Sequence, residues 1–378
     1  MAGGAREAHA GEGVNALSRR LAQRIRTTGP ITVADYMEAA LLDPRHGYYT
    51  TRDPLGAGGD FITAPEVSQI FGELVGLWCA DAWEKMGRPA RVILAELGPG
   101  RGTLMADALR ALRLAPDFRR ALSLHLVETS PVLRRAQEAA LTGHSPAWHD
   151  GIADLPRGAL ILVANELLDA LPIRQFVRGE KSWHERLVAL EADGEALAFA
   201  LDPAPSAAAA LIPPALRGAA PGSLSEVRPA ALSIATSLGA RLAQQGGVAL
   251  FIDYGHAPSA CGDTLQALHR HRRHAVLADP GEADLTAHVD FAAFAEAARG
   301  AGARAWGPVP QGAFLTALGL VERAQALIAH AAPGQIAAIE SGCRRLIDPA
   351  EMGTLFKVLA LAHPELPAPA GFVREYAP

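Results

Sequence analysis

Short apolar runs that end at acidic residues or asparagine recur through the middle of the chain, with amphipathic stretches between them. The runs at 91–96, 123–128, 146–149 and 159–164 predict strands, and strands that alternate with helices imply crossovers and a parallel sheet. Upstream, 14–42 reads as helical, with Pro30-Ile31-Thr32 breaking the pattern before 33–42 resumes it. Residues 67–86 read as one amphipathic helix, because apolar positions recur at helical spacing. Residues 1–13 are expected to be mobile. After Pro172, strand-like segments at 174–177, 182–190 and 196–200 predict an inserted antiparallel piece, and 202–222, rich in Pro, Ala and Gly, reads as a linker. A helix over 229–245 then leads to an apolar strand over 247–253. The last third mixes helices at 290–300 and 313–330 with strands near 303–307 and 354–361. The expected organisation is a helical cover over 1–90, a Rossmann-like half over 91–172, the inserted segment and linker over 173–228, and the rest of the sheet with helical additions over 229–378.

The first strand runs into Glu96-Leu97-Gly98-Pro99-Gly100-Arg101-Gly102-Thr103. Alternate glycines allow positive φ and remove the Cβ atoms that would hold a bulky ligand off the backbone. In doubly wound sheets the ligand sits over such a turn, at the carboxyl ends of the strands. A dinucleotide site wants Gly-x-Gly-x-x-Gly. Here Thr103 occupies the third glycine's place and Gly102 is the extra glycine. The pattern is acidic-x-Gly-x-Gly-x-Gly, the form used by class I S-adenosyl-L-methionine (SAM) methyltransferases. SAM carries a sulfonium and an ammonium rather than phosphates, which suits Glu96 at the strand end. Glu128 ends the next strand, where an acidic residue commonly takes ribose hydroxyls; the alternative is that it caps the helix starting near Pro131. The predicted fold is α/β: a class I SAM-methyltransferase Rossmann-like sheet with a helical N-terminal cover and an inserted α+β segment.

The strand 160–164 ends in Asn165-Glu166-Leu167-Leu168-Asp169. Chain order makes it the neighbour of the glycine-turn strand, so its carboxyl end should lie beside the methyl donor. Methyl transfer is an in-line displacement that needs a positioned, desolvated lone pair. Glu166 is the candidate for gripping a substrate N–H, with Asn165 and Asp169 close by. A second cluster, Asp60, Thr63, Glu66, Ser68, Gln69 and Glu73, could form a lid over the site; Thr63 with Glu66 also matches a capping box. Asp253, at the end of another strand, belongs either to the site or to a turn cap. His269, His271 and His274 match no zinc spacing and read as a solvated face, so no metal is expected.

Composition narrows the function. The chain has 378 residues, 49% hydrophobic and 20% charged, enough for a large domain with additions. A net charge of -5 argues against a nucleic-acid partner held by overall charge. Three scattered cysteines make neither a disulfide framework nor a Cys-x-x-Cys site and fit a reducing cytosol. No run approaches the roughly 20 apolar residues that span a bilayer, so no membrane insertion is expected. The first residues lack an apolar signal core, and Glu7 and Glu12 suit a transit peptide poorly. The richness in Ala, Gly, Arg and Pro suggests a bacterium, and hence a cytoplasmic location.

The block Gly59-Asp60-Phe61-Ile62-Thr63-Ala64-Pro65-Glu66-Val67-Ser68-Gln69-Ile70-Phe71-Gly72-Glu73 resembles the signature of the MidA-type methyltransferases. The similarity continues at Glu96–Thr103, Ala164-Asn165-Glu166, Ile252-Asp253-Tyr254-Gly255-His256, Asp284-Leu285-Thr286-Ala287-His288-Val289-Asp290-Phe291 and Gly353-Thr354-Leu355-Phe356-Lys357. That family includes the mitochondrial methyltransferase that assists respiratory complex I assembly. The resemblance implies a SAM-dependent enzyme and, for that member, dimethylation of an arginine on a core complex I subunit. Two positions depart from the family pattern: Leu167-Leu168 replaces a frequent aromatic pair, and Arg228 stands where serine is common. The resulting expectation is an arginine N-methyltransferase acting on a protein partner, with a homodimer as one assembly open to it. Gly98, Gly100, Gly102 and Thr103 shape the donor bed, Glu96 faces its methionine end and Glu128 its ribose. Glu166, Asn165, Asp60, Glu66 and Glu73 supply the substrate side. The alternatives are methyl transfer to a small molecule or a carboxylate, and an assembly factor that holds SAM without turnover; a dehydrogenase ranks last.

Overall fold

The computed structural model describes residues 15–51, 63–192 and 194–377. Residues 1–13 and the glycine-rich stretch 52–60, with Asp60, lie outside the described residues. One mixed sheet organises the rest. Its strands run in the order Arg304–Pro310, Phe356–Ala362, Gly247–His256, Leu160–Asn165, Val92–Leu97, Leu122–Val127 and Ala147–His149, and Val289–Asp290 pairs with the end of Gly247–His256. The strands from Gly247–His256 to Ala147–His149 are parallel. Phe356–Ala362 is antiparallel to both neighbours. From Val92–Leu97 the chain first steps outward to Leu122–Val127 and Ala147–His149, then returns to place Leu160–Asn165 on the other side. That reversal opens a crevice at the carboxyl ends of the two central strands.

Every residue of Val92–Leu97 and Leu160–Asn165 is buried, which is why both read as continuous apolar runs rather than alternating ones. Successive side chains point to opposite faces. Val92 and Leu94 join Phe71, Leu74, Trp78, Leu104 and Ala108 in one core. Ile93, Ala95 and Leu97 join Leu238, Phe251, Phe294 and Ala298 in the other. Helices Gln69–Lys85 and Thr103–Ala111 therefore cover one face, and helices Pro229–Gln245 and Phe291–Gly300 cover the other.

Two expectations need correction, and one helix lies outside the sequence reading. The helix expected over 67–86 is Gln69–Lys85, set off from the short helix Ala64–Val67 by Ser68, whose extended backbone lets its Oγ accept from Ile70 N at 3.3 Å. The helix over 313–330 is divided into Gln311–Ala317 and Leu320–Ile328 by Gly319 at φ 90°. The expected linker 202–222 packs instead: Leu197–Pro205 extends the strand pairing, and Ile212 is buried with Phe176, Trp183 and Val227. The helix Pro333–Ile347, absent from the sequence reading, packs Cys343 and Leu346 into the main core.

The inserted segment forms an antiparallel sheet, Ile31–Thr32, Trp183–Leu190, Arg174–Arg178 and Leu224–Val227, with Leu197–Pro205 paired to Trp183–Leu190. The Pro30-Ile31-Thr32 break is thus an edge strand, with Ile31 opposite Val188. Thr32 then opens helix Val33–Leu42 through a capping box with Asp35. Among the described residues, no helix is long and apolar enough to cross a membrane.

Candidate functional site

The glycine turn takes the conformation its sequence demands. Gly98, Gly100 and Gly102 have φ of 60°, 53° and 83°, a region that residues with a Cβ adopt at a cost. Gly98 N–H donates to Val127 O at 3.0 Å, tying the turn to the neighbouring strand. Gly102 caps the helix Thr103–Ala111. Above this turn lies a cavity of about 470 Å³. Its wall includes Glu96, Gly98, Gly100, Thr103, Glu128, Asn165, Glu166 and Glu66, so it gathers most of the residues singled out in the sequence. Seven carboxylates line it (Glu66, Glu96, Glu128, Asp150, Glu166, Asp169 and Asp284), against the lone guanidinium of Arg101 among the described residues.

Several of these oxygens are buried without partners among the described residues. Glu96 is 2% exposed and its Oε2 accepts from no described group; burial pushes its pKa up to about 8. Glu166 holds a strained φ of 49°. Its Oε1 accepts from Ala64 N at 2.9 Å and from Asn165 Nδ2 at 3.0 Å, while Oε2 is left unpaired. Burial raises its pKa to about 7 against the opposing pull of Ala64 N–H. Asn165 Oδ1 is likewise buried and unpaired among the described residues, while the buried Asp169 faces the Tyr254 hydroxyl. Unpaired buried acceptors are costly in a folded protein.

Glu66 reaches across to the glycine-turn helix, where its Oε1 accepts from Thr103 Oγ1 at 2.6 Å. Thr63 makes no side-chain cap, so the expected capping box is not formed. Glu128 Oε1 accepts from Ser130 N at 2.8 Å, and burial raises its pKa. Ser130 Oγ caps the helix Pro131–Ala140 through Leu133 N, leaving Glu128 free of that duty.

Glu73 is the exception. It does not line the cavity. Its oxygens are taken by Arg110 Nη2 at 3.1 Å and Arg323 Nε at 2.7 Å, and this pair of guanidiniums holds its carboxyl below the ordinary range despite burial. Glu73 clamps three helices together and has no oxygen left for a substrate. Asp253 is also absent from the wall. Its Oδ2 accepts from Leu168 N at 2.8 Å and Asp169 N at 3.2 Å, so it anchors the loop that carries Glu166. Leu167, one of the departures from the family pattern, lies over Gly98, filling the space an added Cβ there would need (2.7 Å from Leu167 Cδ1).

Sequence reasoning missed three contributors. Asp150, Gly151 and Ile152 bring the end of the third strand in chain order to the cavity, a placement its position at the sheet edge could have signalled. Tyr49, from the N-terminal cover, donates to Asp284 Oδ1 at 2.8 Å, and both line the cavity. Arg228 is buried and donates to four carbonyls: Leu171 at 2.9 Å, His288 at 3.2 Å, Asp169 at 3.2 Å and Ala287 at 2.8 Å. Arg228 therefore pins the Asn-Glu loop to the chain after Thr286.

Comparison with known proteins agrees with this geometry. A family model described as S-adenosyl-L-methionine-dependent methyltransferase matches residues 74–309. The mitochondrial protein arginine methyltransferase NDUFAF7 homolog of Drosophila melanogaster is 39% identical over 380 residues, spanning 92% of this chain and 85% of that protein. The Homo sapiens protein arginine methyltransferase NDUFAF7 is 37% identical over 374 residues, spanning 92% and 83%. A Burkholderia thailandensis protein crystallised with S-adenosyl-homocysteine (SAH) matches the fold with a TM-score of 0.79, at 31% identity over 94% of each chain. The chain belongs to the S-adenosyl-L-methionine-dependent methyltransferase family.

Proposed function

We propose that this enzyme methylates the guanidinium of an arginine in a protein substrate. The observation that carries the reading is the pair of buried acceptors, Glu166 Oε2 and Asn165 Oδ1, unpaired among the described residues, in an acid-lined cavity beside the glycine turn. A guanidinium presents five N–H donors and a fixed positive charge, and matches carboxylates in fork geometry. The relatives named as protein arginine methyltransferases support the same reading.

The wall fits the donor. Gly100 exposes its backbone to the cavity, while Leu167 covers Gly98 and Gly102 backs onto Gln137, and the unpaired Glu96 Oε2 would receive the donor's ammonium. Glu128 would take the ribose, and the segment Asp150–Ile152 would border the adenine. When bound, SAM supplies a methyl group made electrophilic by the sulfonium. Glu166 performs the protein's part on the acceptor. Its Oε1 is fixed by Ala64 N and Asn165, so Oε2 is the oxygen that faces a substrate N–H. Holding the guanidinium there localises its delocalised lone pair toward one nitrogen. A carboxyl with a pKa near 7 can also take the proton that nitrogen loses. Glu66 and Asn165 complete the substrate side; Asp60 is assigned to it from the family resemblance alone.

The finer identity, dimethylation of an arginine on a core subunit of respiratory complex I during assembly, rests on that resemblance, and the bacterial cytoplasm on composition. The test is to incubate the protein and labelled SAM with lysate from a deletion strain and to identify the labelled band by mass spectrometry. A complex I subunit carrying methylated arginine is the expected result. Label confined to small molecules would overturn the protein-substrate reading.

The raised carboxyls also predict a pH dependence. Glu96 moves from an ordinary 4.5 to about 8, and Glu166 from 4.5 to about 7. The folded free enzyme thus binds more protons than the unfolded chain between those values. Its stability should fall as pH rises from about 4.5 to about 8 and then level off. A cationic ligand favours the ionised carboxylates, so SAM affinity should increase over pH 6–8. Calorimetry at pH 7 in buffers of different ionisation enthalpy should register proton release on SAM binding; proton uptake would contradict it.

A further inference from the structure

Gln137, in the helix Pro131–Ala140, is fully buried although it is a polar residue on an otherwise amphipathic helix. Its side chain touches both donor-binding elements. Nε2 donates to Gly100 O at 2.8 Å and to Glu128 Oε2 at 3.3 Å. Its Oε1 accepts from Trp148 Nε1 at 2.8 Å. These partners fix which way the amide faces. An indole N–H only donates and a carbonyl only accepts, so the oxygen must point to Trp148 and the nitrogen to Gly100. Both amide hydrogens are then spent, one on the glycine turn and one on the carboxylate at the end of the next strand. The backbone of Gln137 also backs the turn: a Cβ on Gly102 would come within 3.3 Å of its Cα.

We propose that Gln137 is a positioning residue that locks the glycine turn to the carboxylate of Glu128, and that Trp148 sets its orientation. The amide keeps Glu128 aimed, with one oxygen on Ser130 N and the other shared between Gln137 and the cavity. Its role is to tune affinity for the adenosine half of SAM. The inference rests on the reading that Glu128 takes the ribose hydroxyls, and the experiment separates the two.

Calorimetric titration of the whole protein with SAH and with its 2′-deoxyribose analogue is run on the wild type, Gln137→Met, Trp148→Phe and Glu128→Ala, alongside steady-state kinetics. Gln137→Met keeps the length of the side chain and loses both donors. It should weaken SAH about tenfold, as expected for a lost hydrogen bond to a charged group. The KM for SAM should rise in step while kcat at saturating SAM stays unchanged. Deleting the 2′-hydroxyl should cost Gln137→Met less than it costs the wild type, a coupling that a merely structural residue would not show. Trp148→Phe frees the amide to turn and should give a weaker version of the same pattern, which tests the idea even if Gln137→Met folds poorly. Unchanged SAH affinity in both variants would overturn the inference while Glu128 keeps its role. If Glu128→Ala still distinguishes SAH from the deoxy analogue as the wild type does, the ribose assignment itself falls.

Discussion

Glu166→Gln should lower methyl transfer by about 10²–10⁴-fold, the range for loss of a positioned proton acceptor, and should leave SAH affinity unchanged. The substitution preserves size and can keep an oxygen toward Ala64 N and Asn165 Nδ2. It replaces the unpaired Oε2 with an amide that donates where the substrate also donates. The arginine then meets two N–H groups instead of a carboxylate, and the proton it must lose has no acceptor at that atom. The donor bed is formed by other residues, so binding of the demethylated product reports a correctly folded site. Intact transfer would remove Glu166 from the mechanism; lost SAH binding would move it to the donor side.

Arg228→Met should destabilise the protein by about 3–5 kcal/mol, the cost of breaking a buried charged contact by removing one partner, with a clear fall in Tm. The guanidinium is 7% exposed and satisfies carbonyls on two separate stretches of chain, 169–171 and 287–288. Burial lowers its pKa, and the neighbouring Asp169 and Asp253 oppose that. Methionine fills the volume and pairs with none of the carbonyls. The loop they hold carries Glu166, so the variant should also lose activity even well below its Tm. Thermal and urea denaturation check the first part; a Tm equal to that of the wild type would mean that the loop is held by Asp253 alone. This arginine, one of the two departures from the family pattern, is thus a structural pin.

What could be read from the sequence was what local chemistry decides. The glycine turn declares itself because the chain can reach φ of 53–83° at three alternate positions only at low cost through glycine. The central strands declare themselves because both faces are buried. Glu96, Glu128 and Glu166 follow from their place at the carboxyl ends of those strands. The failures arise where distant partners decide. Glu66 and Glu73 read as members of one polar cluster, yet only Glu66 lines the cavity. Arg110 and Arg323, one of them 250 positions away, then claim Glu73. The same holds for Gln137, whose partners at Gly100, Glu128 and Trp148 meet only in the folded sheet. A proline- and alanine-rich stretch reads as linker, yet Ile212 gives it a buried anchor among Phe176, Trp183 and Val227.

The central claim is that an acid-lined seat beside the donor presents an arginine side chain for methylation. Its most direct test is to label the protein substrate with methyl-labelled SAM, hydrolyse it completely and separate the amino acids. The account predicts label recovered as methylated arginine, absent with Glu166→Gln. Label released by mild base as methanol, the sign of a carboxyl ester, would contradict it.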